Sequence, residues 1–290
     1  MFKDMFGNRR YKIGLHLHTT RSDGRVSPDE CAKIYKAAGF DAIAITDHWT
    51  YAAEEELCGL KIFSGCEYNM GGADTAEGVM HIVGVGMDED PRLSRDECTC
   101  QEVIDAIRKN GGMAIFAHPA WSLNTVEQAK ALRGFGALEI YNTVSDVYQS
   151  NRPYSGYIVD LLANEGLIYP LIATDDTHYY NGEDETKSFV MVRADSLCKA
   201  DVLRAIQTGD FYATQGPELH VRREGDTLIA DCSECVSLAF MSNSAWQPDR
   251  MQRGSVTHAE YRIKPIDKWV RVEVKDKDGR YAWSNILTVV

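Results

Sequence analysis

Four apolar segments of this chain each end in histidine, alone or with a carboxylate, and that recurrence restricts the fold more than any other feature. Ile13-Gly14-Leu15-His16-Leu17-His18 is followed by Asp23, and Ala42-Ile43-Ala44-Ile45-Thr46 by Asp47-His48. Ala114-Ile115-Phe116-Ala117 runs into His118, and Leu171-Ile172-Ala173-Thr174 into Asp175-Asp176-Thr177-His178. Side chains alternate along a strand, so His16 and His18 share a face, as do Asp176 and His178. Taken singly, each residue has an ordinary reading: His118 before Pro119 as a strand terminator, His81 within Val79 to Val85 as a buried histidine bonded to a carbonyl, Glu67 in Cys66-Glu67-Tyr68-Asn69 as a solvated loop residue. Six of the eight histidines at or in strands of one region argue instead for a common site.

Between these segments the pattern alternates strand and helix. Strands are expected at Lys12 to Leu17, Asp41 to Thr46, Lys61 to Ser64, Met80 to Val85, Met113 to Ala117, Ala137 to Tyr141, Ile168 to Thr174 and Phe189 to Arg193. Ser27-Pro28-Asp29-Glu30 opens a helix with an N-cap serine, a first-turn proline and a capping-box glutamate, and Gly39 closes it. Further helical patterns cover Cys100 to Lys109, Val126 to Leu132, Tyr154 to Asn164 and Lys199 to Gln207. Alternation at this spacing predicts βα units around a parallel sheet, and about eight strands suggest a TIM-like barrel with its site at the C-terminal strand ends. After Gln215-Gly216-Pro217 the helical period stops. Turn signals at Glu224-Gly225-Asp226 and Asp278-Gly279 divide short strands, so residues 1–215 are expected as the barrel and 216–290 as a small all-β, sandwich-like domain.

Imidazole and carboxylate without thiolate suit zinc, manganese or iron. Nine groups, His16, His18, Asp23, His48, Glu67, His81, His118, Asp176 and His178, exceed what one ion takes and point to two or three. Asp47 and Asp175, each beside one of these, are expected to orient ligands from behind. Arg21, Arg152 and Lys187 are candidate phosphate contacts. The eight cysteines show no framework spacing, and Cys232-Ser-Glu-Cys235 reads as two incidental thiols. No run approaches the roughly 18 apolar residues that span a bilayer, so a cytoplasmic protein with no membrane partner is expected. The formal charge of −12 without a basic run argues against a duplex nucleic acid partner and leaves room for a small phosphorylated substrate.

These residues in this order resemble the polymerase and histidinol phosphatase (PHP) superfamily of metal-dependent phosphoesterases. HLHTTRSDG at 16–24, TDH at 46–48, AHP at 117–119 and DTH at 176–178 are similar to its four motifs, over roughly residues 11–215. The resemblance implies a distorted (β/α)7 barrel, one strand fewer than the periodicity suggests. It also implies His16, His18, Glu67 and Asp176 around one metal, Glu67 bridging to a second held by His81 and His118, and Asp23, His48 and His178 around a third. Many relatives have histidine where Asp23 stands. An aspartate there occurs in a branch that includes enzymes resembling nucleoside 3′,5′-bisphosphate phosphatases, whose helical insertion after the His81 position is not matched by the short 82–117 interval here. The stretch VRVEVKDKDGRYAWSN at 270–285 resembles a C-terminal domain of other members, some of which hydrolyse aryl esters. The leading expectation is hydrolysis of a phosphomonoester. The competing ones are a carboxylic or aryl ester hydrolase on the same site and a non-catalytic metal-stabilised module.

Overall fold

A computed structural model describes residues 2–72 and 78–289; a further strand that the apolar run Ile286 to Val290 leads one to expect ends at Val290, outside them. The helices follow the sequence closely. Ser27 Oγ accepts from the Glu30 N–H to start Pro28–Ala37, and reciprocal capping boxes form at Thr99 with Glu102 and at Thr125 with Gln128, opening Cys100–Lys109 and Val126–Ala131. Gly156–Asn164 and Lys199–Gln207 are the remaining α-helices among the described residues.

The strands depart from expectation. Instead of one closed barrel, they form two hydrogen-bonded sheets of mixed direction. One carries Arg9–Gly14 between Ala42–Ala44, in parallel, and Phe189–Val192, antiparallel, with Leu60–Phe63 beyond Ala42–Ala44. The other runs Gly65–Gly71, Val79–Val85, Met113–Phe116, Ala137–Asn142 and Leu171–Thr174. Gly65–Gly71 and Val79–Val85 are antiparallel because their connection is too short for a crossover helix, and Val79–Val85 is antiparallel to Met113–Phe116 as well. The sheets meet through isolated parallel bridges, Leu17 with Thr177 and His48 with Glu67. At the first seam the side chain of Thr46 enters the ladder: Leu17 N–H donates to Thr46 Oγ1 at 3.0 Å while Thr46 N–H donates to Leu17 O at 2.9 Å. Beyond Arg9–Gly14 the segment is held by this exchange and by the His18 N–H donating to Thr177 O at 3.0 Å, with both imidazoles on the cleft face. Gly65 sits where the chain passes from one sheet to the other, and a Cβ there would lie 2.5 Å from Ile45 O.

Every named element after Gly216 is a strand. Thr227–Ser242 pairs with Leu219–Glu224, Met251–Arg262 and Trp269–Lys275, and Tyr281–Trp283 then pairs with Phe211–Thr214, so these strands extend the first sheet. A buried ion pair fastens them to a helix. Arg271, with its side chain almost wholly enclosed, holds Asp160 of Gly156–Asn164 through Nε at 2.7 Å and Nη2 at 3.0 Å. Removing Asp160 takes two charge-assisted hydrogen bonds from the enclosed guanidinium and leaves Glu273 Oε2, at 3.1 Å, as its remaining carboxylate, so Asp160→Ala should destabilise the protein by about 2 kcal/mol in urea unfolding. A change under about 0.5 kcal/mol would mean that Glu273 alone satisfies the Arg271 charge.

Candidate metal centre

The strand ends bring nine side chains into one cleft. His16 and His18 are fully buried, with their Nε2 atoms 3.3 Å apart. Glu67 Oε2 lies 3.1 Å from His16 Nε2 and 2.9 Å from His18 Nε2, and Asp176 Oδ1 lies 3.1 Å from both. Four donors at such separations trace the edges of a shell whose metal-to-donor distances are about 2.0–2.2 Å. Asp176 Oδ1 and His48 Nδ1 are moreover buried with no hydrogen-bond partner, which a cation would supply. The donor set therefore fits a divalent ion.

Glu67 joins this group to a second. It lies within Gly65–Gly71, not beyond a strand end, and the antiparallel register sets Asn69 opposite His81, so Glu67 and His81 share a face. Glu67 Oε1 is 2.7 Å from His81 Nδ1 and 3.4 Å from His118 Nε2. A third group surrounds Asp23, whose Oδ1 is 3.4 Å from both His178 Nε2 and His18 Nδ1 and whose Oδ2 is 3.7 Å from His48 Nε2. Gly24 makes that loop possible: a Cβ there would stand 2.4 Å from His18 O. His118 and Asp176 both adopt positive φ, 27° and 51°, a conformation held by surrounding structure and typical of functional sites.

Behind these groups lies a buried carboxylate that the sequence did not reveal. Glu139 Oε1 accepts from His16 Nδ1 at 2.7 Å and from Thr174 Oγ1 at 2.8 Å, and Oε2 accepts from the His118 N–H at 2.9 Å and Asn142 Nδ2 at 3.0 Å. With its oxygens filled, Glu139 orients His16 and fixes the proton on Nδ1, leaving Nε2 as the donor. Asp184 was also missed; it collects the N–H groups of His178, Tyr179 and Tyr180 and so sets the His178 loop. Asp47 acts less directly than expected. It holds Thr19 and Ser22, and Ser22 Oγ in turn meets His18 Nδ1 at 3.3 Å. Asp175 faces away from the cleft, accepting from Tyr35 OH and from the N–H groups of Lys187 and Ser188, and burial pushes its carboxyl up to about 6. Of the expected phosphate contacts, Arg21 is paired with Glu54, while Arg152 and Lys187 are exposed.

The electrostatics are those of a site built for cations. Burial opposes charge on His18, but the adjacent Asp176 and Glu67 carboxylates outweigh it and push the imidazole up to about 9; His16 is raised for the same reasons, burial against Asp176 and Glu67. Burial likewise works against ionisation of Glu67 and Asp176, yet His16, with its neighbours, holds both carboxyls well below the usual range. Burial lowers His48 to about 4 and also depresses His81.

The PHP domain family profile matches residues 14–181, more than half of the chain. The chain belongs to the PHP domain family. An uncharacterised protein of Methanocaldococcus jannaschii is 33% identical over 121 residues, which cover 37% of this chain and 67% of that protein. Over the whole chain, and 97% of its own, the fold is similar to that of a two-domain protein from Bacteroides vulgatus containing a predicted PHP-like metal-dependent phosphoesterase, with a TM-score of 0.57 and 15% identity. The lesion-specific endonuclease Q of Pyrococcus furiosus is similar over 69% of this chain and 56% of its own, with a TM-score of 0.50 and 14% identity. Endonuclease Q has also been solved with a 27-mer duplex substrate, at a TM-score of 0.49, 15% identity and coverage of 69% and 57%. The expectation that excluded duplex nucleic acid is overturned by the similar fold of a lesion-specific endonuclease. It rested on net charge, which neither counts bound metal ions nor resolves where on a surface charge lies. Among the described residues no helix is long and apolar enough to cross a membrane.

Two outcomes follow for this PHP centre. Replacing Glu139 by Gln, which keeps the volume but breaks the acceptor pattern, should weaken metal binding about 10–100-fold in a chelator competition; an unchanged affinity would remove Glu139 from the site. Ligation also requires His16 and His18 to lose the protons that Glu67 and Asp176 hold on them. Metal affinity of the metal-free protein should therefore rise with pH, by at least about tenfold from pH 6 to pH 8, and level off near the His18 value of about 9. A flat profile would show both imidazoles to be neutral before metal binds.

Proposed function

We propose that the protein is a metal-dependent phosphoesterase that hydrolyses a small phosphomonoester, nucleotide-like or a sugar phosphate, with two to three divalent ions of zinc, manganese or iron. The observation that carries this reading is Glu67, whose two oxygens face His16 and His18 on one side and His81 and His118 on the other. His16, His18, Glu67 and Asp176 would hold one ion, Glu67, His81 and His118 a second, and Asp23, His48 and His178 a third. Bound there, the ions supply activation of water and stabilisation of the attacking and leaving oxygens. The chain's part is to hold the donors in place. Glu139 keeps the His16 proton on Nδ1, and Asp176 O accepts from His178 Nδ1 at 2.7 Å, turning Nε2 toward Asp23. Trp121 stands edge-on to His81 and His118, with ring centroids at 5.4 and 4.9 Å, and walls the cleft on that side.

Three divalent ions against the carboxylates of Asp23, Glu67 and Asp176 leave a charge of about +3, which favours a phosphoryl dianion over a neutral ester. In the same reading residues 1–215 form the hydrolase unit, residues 216–290 a β domain that supports it, and the protein works in the cytoplasm.

For the metal-loaded protein, kcat/KM should be at least about tenfold higher for phosphomonoesters than for aryl carboxylic esters or phosphodiesters, equivalent to about 1.4 kcal/mol of transition-state discrimination. The assay panel should include duplex oligonucleotides. Asp176→Asn should reduce turnover far more than Asp175→Asn, since only Asp176 faces the imidazoles. An aryl carboxylic ester cleaved faster than every phosphomonoester would refute the proposal.

A further inference from the structure

One guanidinium beside the third ligand group is held in place without being neutralised. Arg25 follows Asp23 by two residues, and its N–H donates to His178 O at 2.9 Å, so its backbone joins two segments that carry candidate ligands. Its side chain is exposed, and no carboxylate among the described residues lies within ion-pair distance. The nearest acid in sequence, Asp23, is turned toward His18, His48 and His178. Arg21, four residues earlier in the same loop, is instead tied to Glu54.

An aromatic ladder fixes the Arg25 head. Its guanidinium carbon lies 4.5 Å from the Tyr179 ring centroid. The Tyr179 ring is 4.2 Å from that of Tyr148 and 6.5 Å from the His178 imidazole. Tyr148 is anchored through its hydroxyl by Glu183 and Asn181, and the Tyr179 backbone by Asp184. Stacking on a ring restricts a guanidinium without consuming its charge or its hydrogen-bond donors. An arginine left in this state next to the His178 segment, in a chain of net charge −12, offers a planar, two-pronged donor suited to two oxygens of a phosphate.

We propose that Arg25 binds the non-bridging oxygens of the substrate's phosphoryl group, with Tyr179 as the positioning residue that presents it. This rests on the phosphoesterase reading and takes the role first considered for Arg21. The test uses the full-length, metal-replete protein with inorganic phosphate as the probe, followed by calorimetry and as a competitive inhibitor. Arg25→Ala should weaken phosphate binding at least tenfold and raise KM for phosphomonoesters by a similar factor, with kcat changed less and metal equivalents and Tm unaltered. Arg25→Lys should recover part of the loss, because it restores the charge but not the fork, and Tyr179→Ala should show a smaller loss of the same kind. If wild type binds phosphate and cleaves phosphomonoesters while Arg25→Ala does both equally well, the assignment is overturned and the phosphoesterase reading stands. A loss confined to Arg21→Ala would overturn it in the same way. A wild type that neither binds phosphate nor cleaves any phosphate ester would overturn both.

Discussion

The Glu67 carboxylate is buried with one oxygen against His16, His18 and His48 and the other against His81 and His118. A carboxylate so placed is stable only if positive charge meets it, since burial of an uncompensated charge costs several kcal/mol, a large part of the net stability of a domain. Asp176 and Glu139 bring two more buried carboxylates within one or two side chains of it. Protons on His16, His18 and His118 answer part of that demand, which is why all three imidazoles are raised against the burial that would lower them. Divalent cations answer it more completely, because one ion replaces two protons and engages the unpartnered Asp176 Oδ1 as well.

A site under that tension needs a rigid frame, and the surrounding structure supplies one from acids that never face the cleft. Glu139 braces His16 and the His118 backbone, Asp47 holds the Thr19 to Ser22 turn, Asp184 gathers the amides after His178, and Asp175 ties Tyr35 to the Lys187 and Ser188 backbone. Each is buried and each accepts several hydrogen bonds, an arrangement that orders loops without contributing a ligand. The left-handed backbone at His118 and Asp176 persists because these braces over-determine it.

The convergence of the nine side chains was legible because alternation along a strand and the abrupt appearance of polar residues at its end both leave marks in sequence. Helix boundaries were legible for a similar reason, since Thr99 with Glu102 and Thr125 with Gln128 are local signals. Glu139 was not. In Ala137-Leu138-Glu139-Ile140-Tyr141 it follows the pattern of a strand with one polar face, and nothing local distinguishes a glutamate facing water from one facing His16. Strand direction was also beyond reach: Gly65–Gly71 and Val79–Val85 carry the same apolar runs whether parallel or antiparallel, and only their pairing splits the expected barrel into two sheets. Asp47 and Asp175 were found as residues but not as roles, because sequence neighbours of a ligand can point either way from it.

The all-β strands extend this frame rather than hanging from it. Tyr281–Trp283 pairs with Phe211–Thr214, and without it that strand would present an open edge. Trp283 is buried and stacks on Tyr141 at 5.3 Å, within the same strand, Ala137–Asn142, that carries Glu139 and Asn142. Arg271 grips Asp160 on the helix that follows, and Asn285 accepts from the Leu171 N–H at the start of the strand that leads to Asp176. The chain after residue 216 thus packs against two segments that lead to the candidate metal centre. In such an arrangement metal affinity and global stability draw on the same contacts. At Gly216 the chain passes from mixed helices and strands to strands alone, while the first sheet continues through Tyr281–Trp283.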